Sequence, residues 1–140
     1  MVKLLVGLKG SGKTKKLVEM ANDQTQTGKG SFVFLSKNNK LMYELKYQIR
    51  VVYMSEYDYI ENIDQYTGFL MGIISSDHDL ETIFIDGLMY HTQIGTENLG
   101  EFLRRLNEIS KKHELEFVIS ISADLNDIPA DALAGCTILD

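Results

Sequence analysis

Short apolar runs alternate along the chain with longer stretches whose apolar residues recur at helical spacing, the rhythm of strands packed between helices. Val2-Lys3-Leu4-Leu5-Val6 predicts a first buried strand. Thr14, Leu17, Val18 and Ala21 then share one helical face, so a helix is expected to open at about Lys13. Thr27-Gly28-Lys29-Gly30 is a glycine stop, and Ser31 to Ser36 reads as the second strand. Asn38 or Asn39 is placed to cap a helix whose apolar face is Leu41, Met42, Leu45 and Ile49. Val51 to Met54 predicts a short third strand.

Between Ser55 and Ser76 the pattern predicts a helix with Ile60, Ile63, Thr67, Leu70 and Ile74 down one side, interrupted by Gly68 and Gly72. Each glycine weakens a helix by roughly 1 kcal/mol relative to alanine, which suggests close packing or a bend there. Thr82 to Asp86 is the next strand. Thr96 is placed as the N-cap of a helix buried through Leu99, Phe102, Leu103, Leu106 and Ile109, with Glu97 near its positive end and Lys111, Lys112 and His113 near its negative end. Phe117 to Ser122 reads as a strand, Pro129 opens a short helix that stops at Gly135, and Cys136 to Leu139 supplies a last strand. Strands that are apolar on both faces and alternate with helices predict an α/β domain over residues 1–140, three layers deep, with a mainly parallel sheet of five or six strands.

One turn in this pattern carries chemistry. Gly7-Leu8-Lys9-Gly10-Ser11-Gly12-Lys13-Thr14 fits G-x-x-x-x-G-K-[ST], and it lies between a predicted strand and a predicted helix, as the pattern requires. Gly7, Gly10 and Gly12 let the backbone turn tightly and aim N–H groups, those of Lys9 and Ser11 among them, at a phosphate on the positive end of the helix. Lys13 is expected to reach the β- and γ-phosphates and the Thr14 hydroxyl to bind Mg²⁺. Ile83-Phe84-Ile85-Asp86 ends in an acid at the carboxyl end of a parallel strand, where Asp86 would face the loop and hold Mg²⁺ through water. A strand-end Asp that merely solvates a turn is the competing reading.

On these two motifs the chain resembles P-loop NTPases over nearly its whole length. The long interval and extra strand between the glycine loop and Asp86 are similar to the RecA-like and thymidine-kinase-like branch, and within it to small stand-alone bacterial P-loop proteins, some labelled twitching-motility ATPase. The resemblance implies a three-layer P-loop fold. It also implies that the strand after Asp86 lies between the Asp86 strand and the loop strand, and ends in a polar residue that senses the γ-phosphate. Asp124, or Ser122 beside it, stands at that position, and a turn-forming role for Asp124 before Leu125-Asn126 is equally open. The catalytic set implied is Lys13, Asp86 and Asp124. Where such ATPases and kinases often carry a glutamate after the Walker B Asp, this chain has Gly87; Glu56, Glu97 and Glu101 are substitutes that spacing does not distinguish. The cysteine-rich, zinc-bearing lasso of thymidine kinases and the extra acidic and histidine boxes of twitching-motility motors have no counterpart in these residues.

The net charge of −6 conceals an asymmetry: residues 1–50 hold ten of the fourteen Lys and Arg and three of the twenty acids, so the two parts carry +7 and −13. A basic face opposing an acidic one would suit a homo-oligomer or a charged protein partner, whereas interleaved halves would simply solvate separate helices. Overall acidity disfavours strong nucleic-acid binding. One cysteine, Cys136, excludes an internal disulfide, and no apolar run reaches membrane-spanning length; a cytoplasmic location, where nucleotide and Mg²⁺ are available, is expected. His78, His91 and His113 are too scattered for a metal site, although His91 follows the Asp86 strand closely enough to border the ligand. Tyr43, Tyr47, Tyr53, Tyr57, Tyr59 and Tyr66 crowd together, which predicts amphipathic packing at a sheet edge ahead of base stacking or a partner surface. Leu88-Met89-Tyr90 is an apolar loop that reads as lid or core.

The expected function is Mg²⁺-dependent binding of ATP or GTP with slow hydrolysis. A nucleoside-type small-molecule kinase and a non-hydrolysing nucleotide-responsive adaptor are the alternatives, the latter favoured by Gly87.

Overall fold

A computed structural model describes residues 1–89 and 94–139. The elements run β1 (Val2–Gly7), α1 (Lys13–Thr27), β2 (Ser31–Ser36), β3 (Ile49–Tyr53), α2 (Ile63–Ser75), β4 (Leu80–Ile85), α3 (Thr96–His113), β5 (Glu116–Ser122) and β6 (Cys136–Leu139). They build an α/β structure around a six-stranded sheet of order β3-β2-β4-β5-β1-β6. Every pairing among the described residues is parallel. β5 lies between β4 and β1, the order the resemblance implied.

Side-chain alternation along the strands divides the core in two. Phe32, Phe34, Phe84 and Val118 point to the face covered by α1, where they meet Leu17, Val18 and Ala21. Val33, Leu35, Ile83, Ile85, Phe117 and Ile119 point to the other face, against Leu70 and Ile74 of α2 and Leu99, Phe102 and Leu106 of α3. With both faces covered, successive residues of β2, β4 and β5 are buried, and these strands read as continuous apolar runs. Complete burial of a side chain such as Phe34 or Phe84 contributes about 1.5–3 kcal/mol. The two rings also stack, their centroids 6.1 Å apart.

The structure corrects several expectations. No α-helix spans Leu41 to Ile49. Asn38 caps a single 3-10 turn, Asn39–Leu41, by accepting from the Lys40 N–H at 3.0 Å. Beyond it Asn22 of α1 clamps the chain, donating to the Glu44 carbonyl at 2.9 Å and accepting from the Lys46 N–H at 2.9 Å. Leu45 and Ile49 are buried all the same, on the α1 face, and Ile49 opens β3. A tertiary clamp here overrides a local helical pattern.

The next helix, α2, begins at Ile63 and not near Ser55, because the Asn62 side chain accepts from the Gln65 N–H at 2.9 Å and fixes the start. Gly68 and Gly72 face solvent, and a Cβ at either would meet nothing within 4 Å, so neither marks close packing. Gly95, not Thr96, occupies the N-cap of α3. Ile109 is only half-buried there, whereas Ser110 is fully enclosed, accepting from the Met1 amino group and donating to the Leu115 carbonyl. Pro129 precedes a 3-10 turn, Ala130–Leu133, and not an α-helix. Edge packing fails for Tyr43, Tyr47 and Tyr59, which are exposed; Tyr57, half-exposed, keeps its ring against Phe69, and among the described residues Tyr66 is the one fully buried tyrosine, edge-on to Phe102. Leu88 is core; Tyr90 and His91 lie outside the described residues.

Candidate functional site

The carboxyl ends of β1, β4 and β5 meet at one rim of the sheet, the side on which parallel α/β sheets bind ligands. The glycine loop rises from β1 there. Gly10 and Gly12 adopt φ of +85° and +88°, a region that side chains disfavour, and the turn closes with the Ser11 N–H donating to the Leu8 carbonyl at 3.1 Å. At Gly7 a Cβ would stand 2.7 Å from Ser11 Oγ and would turn that hydroxyl aside. Gly12 is the N-cap of α1 and supplies no side-chain acceptor, and the first turn holds no acid. The positive end of the helix therefore faces the rim with its first-turn amides uncapped by any side chain.

Lys13 Nζ lies over the loop, donating to the Leu8 carbonyl at 2.9 Å and to Ser11 Oγ at 3.4 Å. Burial pulls its pKa below the ordinary 10.5; the carboxylate of Asp86 pulls the other way, and the like charge of Lys37 lowers it further.

Asp86 follows directly on β4 and is buried, 4% exposed. Its backbone N–H donates to the Leu35 carbonyl at 2.9 Å, tying the end of β4 to that of β2. The single proton of Thr14 Oγ1 is shared between Asp86 Oδ1 at 3.1 Å and Oδ2 at 3.2 Å. Ser120 Oγ donates to Oδ1 at 2.7 Å and accepts the Gly87 N–H at 3.0 Å. A buried carboxylate is tolerable when hydroxyls satisfy it in this way.

These groups line a cavity of about 310 Å³ that also takes in Lys9, Lys37 and Ser122. The sequence-predicted residues Lys9, Gly10, Gly12, Lys13, Thr14 and Asp86 are thus brought to one place. Asp124 is exposed, and its carboxylate accepts from the Asn126 N–H at 2.9 Å, the turn-forming role; Ser122 is the one that reaches the cavity. Glu56, Glu97 and Glu101 do not line it. Glu101 instead holds Arg104 and Arg105, whose guanidinium hydrogen bonds keep its carboxyl below the usual range.

Sequence reasoning missed Ser120 and Lys37. The only signal for Ser120 is a hydroxyl inside an otherwise apolar strand, and for Lys37 a cation one residue past β2.

A magnesium ion fits the donors at this rim. Thr14 and Asp86 are oxygen donors of the kind a hard cation takes. Among the described residues no cluster of three or more His, Cys, Asp or Glu forms a protein-only metal cage. Mg²⁺ ordinarily completes its shell with water and substrate phosphate, so one hydroxyl and one carboxylate suit it.

Of three larger clefts, the one of about 460 Å³ beside α1 sets Glu19 and Glu44 against Lys15, and the two others, of about 560 and 780 Å³, are likewise poor rivals for an anion. Of these two, the first, at the amino ends of the strands, presents Glu81, Glu114 and Glu116. The second, beside α3, presents Glu97, Glu101, Glu108 and Asp131 against Arg104 and Lys111. Among the described residues no helix is long and apolar enough to cross a membrane. No protein-family model matches the chain, and no curated protein matches it.

Proposed function

We propose that the protein binds a magnesium nucleoside triphosphate, ATP or GTP, at the glycine-loop rim and hydrolyses it slowly. The observation that carries this reading is the meeting of Thr14, at the start of α1, with Asp86, at the end of β4, beside an uncapped helix N-terminus and Lys13. The loop amides and Lys13 would take the phosphate charge, with Thr14 as a direct Mg²⁺ ligand and Asp86 acting through water. Held by Thr14 and Asp86, Mg²⁺ would supply neutralisation of the phosphate charge. Ser120 holds the Asp86 carboxylate in place, and Ser122, on the cavity wall, would offer a hydroxyl to the phosphates.

Slow hydrolysis follows from the lining. Among the described residues Asp86 is its only carboxylate, and it is committed to the metal, so no second acid orients a water. This same feature favours, as a second reading, an adaptor that responds to nucleotide without consuming it.

Isothermal calorimetry with ATP and GTP, with and without Mg²⁺, tests the binding. Wild type is expected to bind with Mg²⁺ enhancement. Lys13→Ala should weaken binding severely at unchanged fold, and Asp86→Ala should lose the Mg²⁺ enhancement more than the binding itself. Equal affinity of wild type and Lys13→Ala would end the proposal.

A further inference from the structure

Gly87 stands where the resemblance expects a glutamate, and the structure gives that glycine a positive reason. Its φ is +73°, and a Cβ built on it would lie 2.3 Å from Cε of Lys37, 3.1 Å from Cγ and 3.2 Å from Cδ. The stem of Lys37 therefore crosses the α-carbon of residue 87, and any larger residue there would displace it. Lys37 is held to this course from both sides of the backbone. The Asp86 N–H bonds to the Leu35 carbonyl at 2.9 Å, locking the ends of β2 and β4 together, and the Lys37 carbonyl accepts the Ser55 N–H at 3.1 Å. Ser36, buried between them, donates to the Asn38 carbonyl at 3.0 Å and fixes the turn that follows.

Lys37 lines the same cavity as the loop and lies close enough to Lys13 to depress its pKa. Among the described residues the lining thus sets Lys9, Lys13 and Lys37 against the single carboxylate of Asp86. Three cations to one anion make this a site for a polyanion. Position within the cavity separates their duties. The loop and the first turn of α1 would hold the phosphate nearest the helix, and Mg²⁺ held by Thr14 and Asp86 would favour the last phosphate on the Asp86 side. Lys37 stands on that side, across Gly87.

We infer that Lys37 is a second phosphate-binding cation, directed at the terminal phosphate, and that it makes the site select a nucleoside triphosphate over a diphosphate. The inference rests on the nucleotide reading above. It turns the missing glutamate into an exchange: the space of a carboxylate that would orient water is given to an ammonium that holds the terminal phosphate.

The test is the ratio of MgATP to MgADP affinity, by calorimetry, in wild type, Lys37→Met and Lys37→Arg, with thermal melts to confirm folding. Lys37→Met keeps most of the stem and removes the charge. It should lower ATP affinity about ten- to a hundredfold, the worth of one charge-assisted hydrogen bond, and change ADP affinity by less than about threefold. Lys37→Arg should restore most of the ratio. Gly87→Ala, which pushes the stem aside, should reproduce Lys37→Met. An unchanged ratio in Lys37→Met, or equal weakening of both nucleotides, overturns the assignment of Lys37 while the nucleotide reading stands. Wild type that binds neither nucleotide overturns both.

Discussion

The depressed pKa of Lys13 makes its charge a property of the ligand as well as of the pH. Burial and Lys37 favour the neutral amine over an ordinary lysine, against the pull of Asp86. A group depressed in this way, if cationic in the fold, costs stability at neutral pH, and the cost is relieved as pH rises through the folded value toward 10.5. A phosphate placed on Nζ works in the opposite sense and draws a proton back. Affinity for MgATP should therefore fall as pH is raised, beginning below the range of an unperturbed lysine, with net proton uptake on binding at alkaline pH. Calorimetry in buffers of different ionisation enthalpy measures that uptake; proton release, or affinity flat to pH 10, would contradict it. At this scale the loop and Asp86 were legible in the sequence because their spacing and flanking strands are themselves the signal. Ser120 and Lys37 were not, because neither has a fixed offset from the loop. Ser120 reaches Asp86 through the parallel register that sets Ile85 against Ile119, and Lys37 through the tie between the ends of β2 and β4.

At the scale of elements, all six strands were readable from apolar runs, with ends displaced by a residue or two; burial on both faces makes β2, β4 and β5 plain, whereas the edge strands β3 and β6 are largely unburied and show as short apolar runs alone. The stretches on either side of β3, residues 38–48 and 54–62, were not. The apolar spacing of the first is helical, yet what decides its path is the clamp by Asn22, a residue on another element. The α2 glycines are the opposite case, where the local rule holds and the presumed tertiary reason is absent. With open space at both positions, Gly68→Ala and Gly72→Ala should each stabilise the protein by about 0.5–1 kcal/mol. Urea denaturation would show this as a higher midpoint at constant slope, and destabilisation by either change would mean that the glycine serves a contact with another molecule.

At the scale of the whole molecule, the charge asymmetry acquires a geography. Exposed Lys40, Lys46 and Arg50, with Tyr43 and Tyr47 among them, belong to the β3 edge of the sheet. Exposed Asp124, Asp127 and Asp131 belong to the segment entering β6 at the opposite edge. No arginine lines the loop cavity among the described residues; Arg104 and Arg105 are bound to Glu101, Glu108 and Asp64. Dilute protein should accordingly release phosphate from ATP at well below about 1 s⁻¹. Turnover of many per second, independent of protein concentration, would show a catalytic group already present in the monomer.

The placing of β5 between β4 and β1 has a consequence in time as well as in space. The glycine-loop strand and the Asp86 strand do not pair with each other; each pairs with β5. Two strand spacings, roughly 10 Å, separate them, and the strand that fills the gap follows both in the chain, starting only at Glu116. A nascent chain that has already emerged past Asp86 holds both halves of the rim without the strand that pairs with each. Until β5 emerges the loop is a glycine turn on an unfinished sheet, and the arrival of that strand closes the gap.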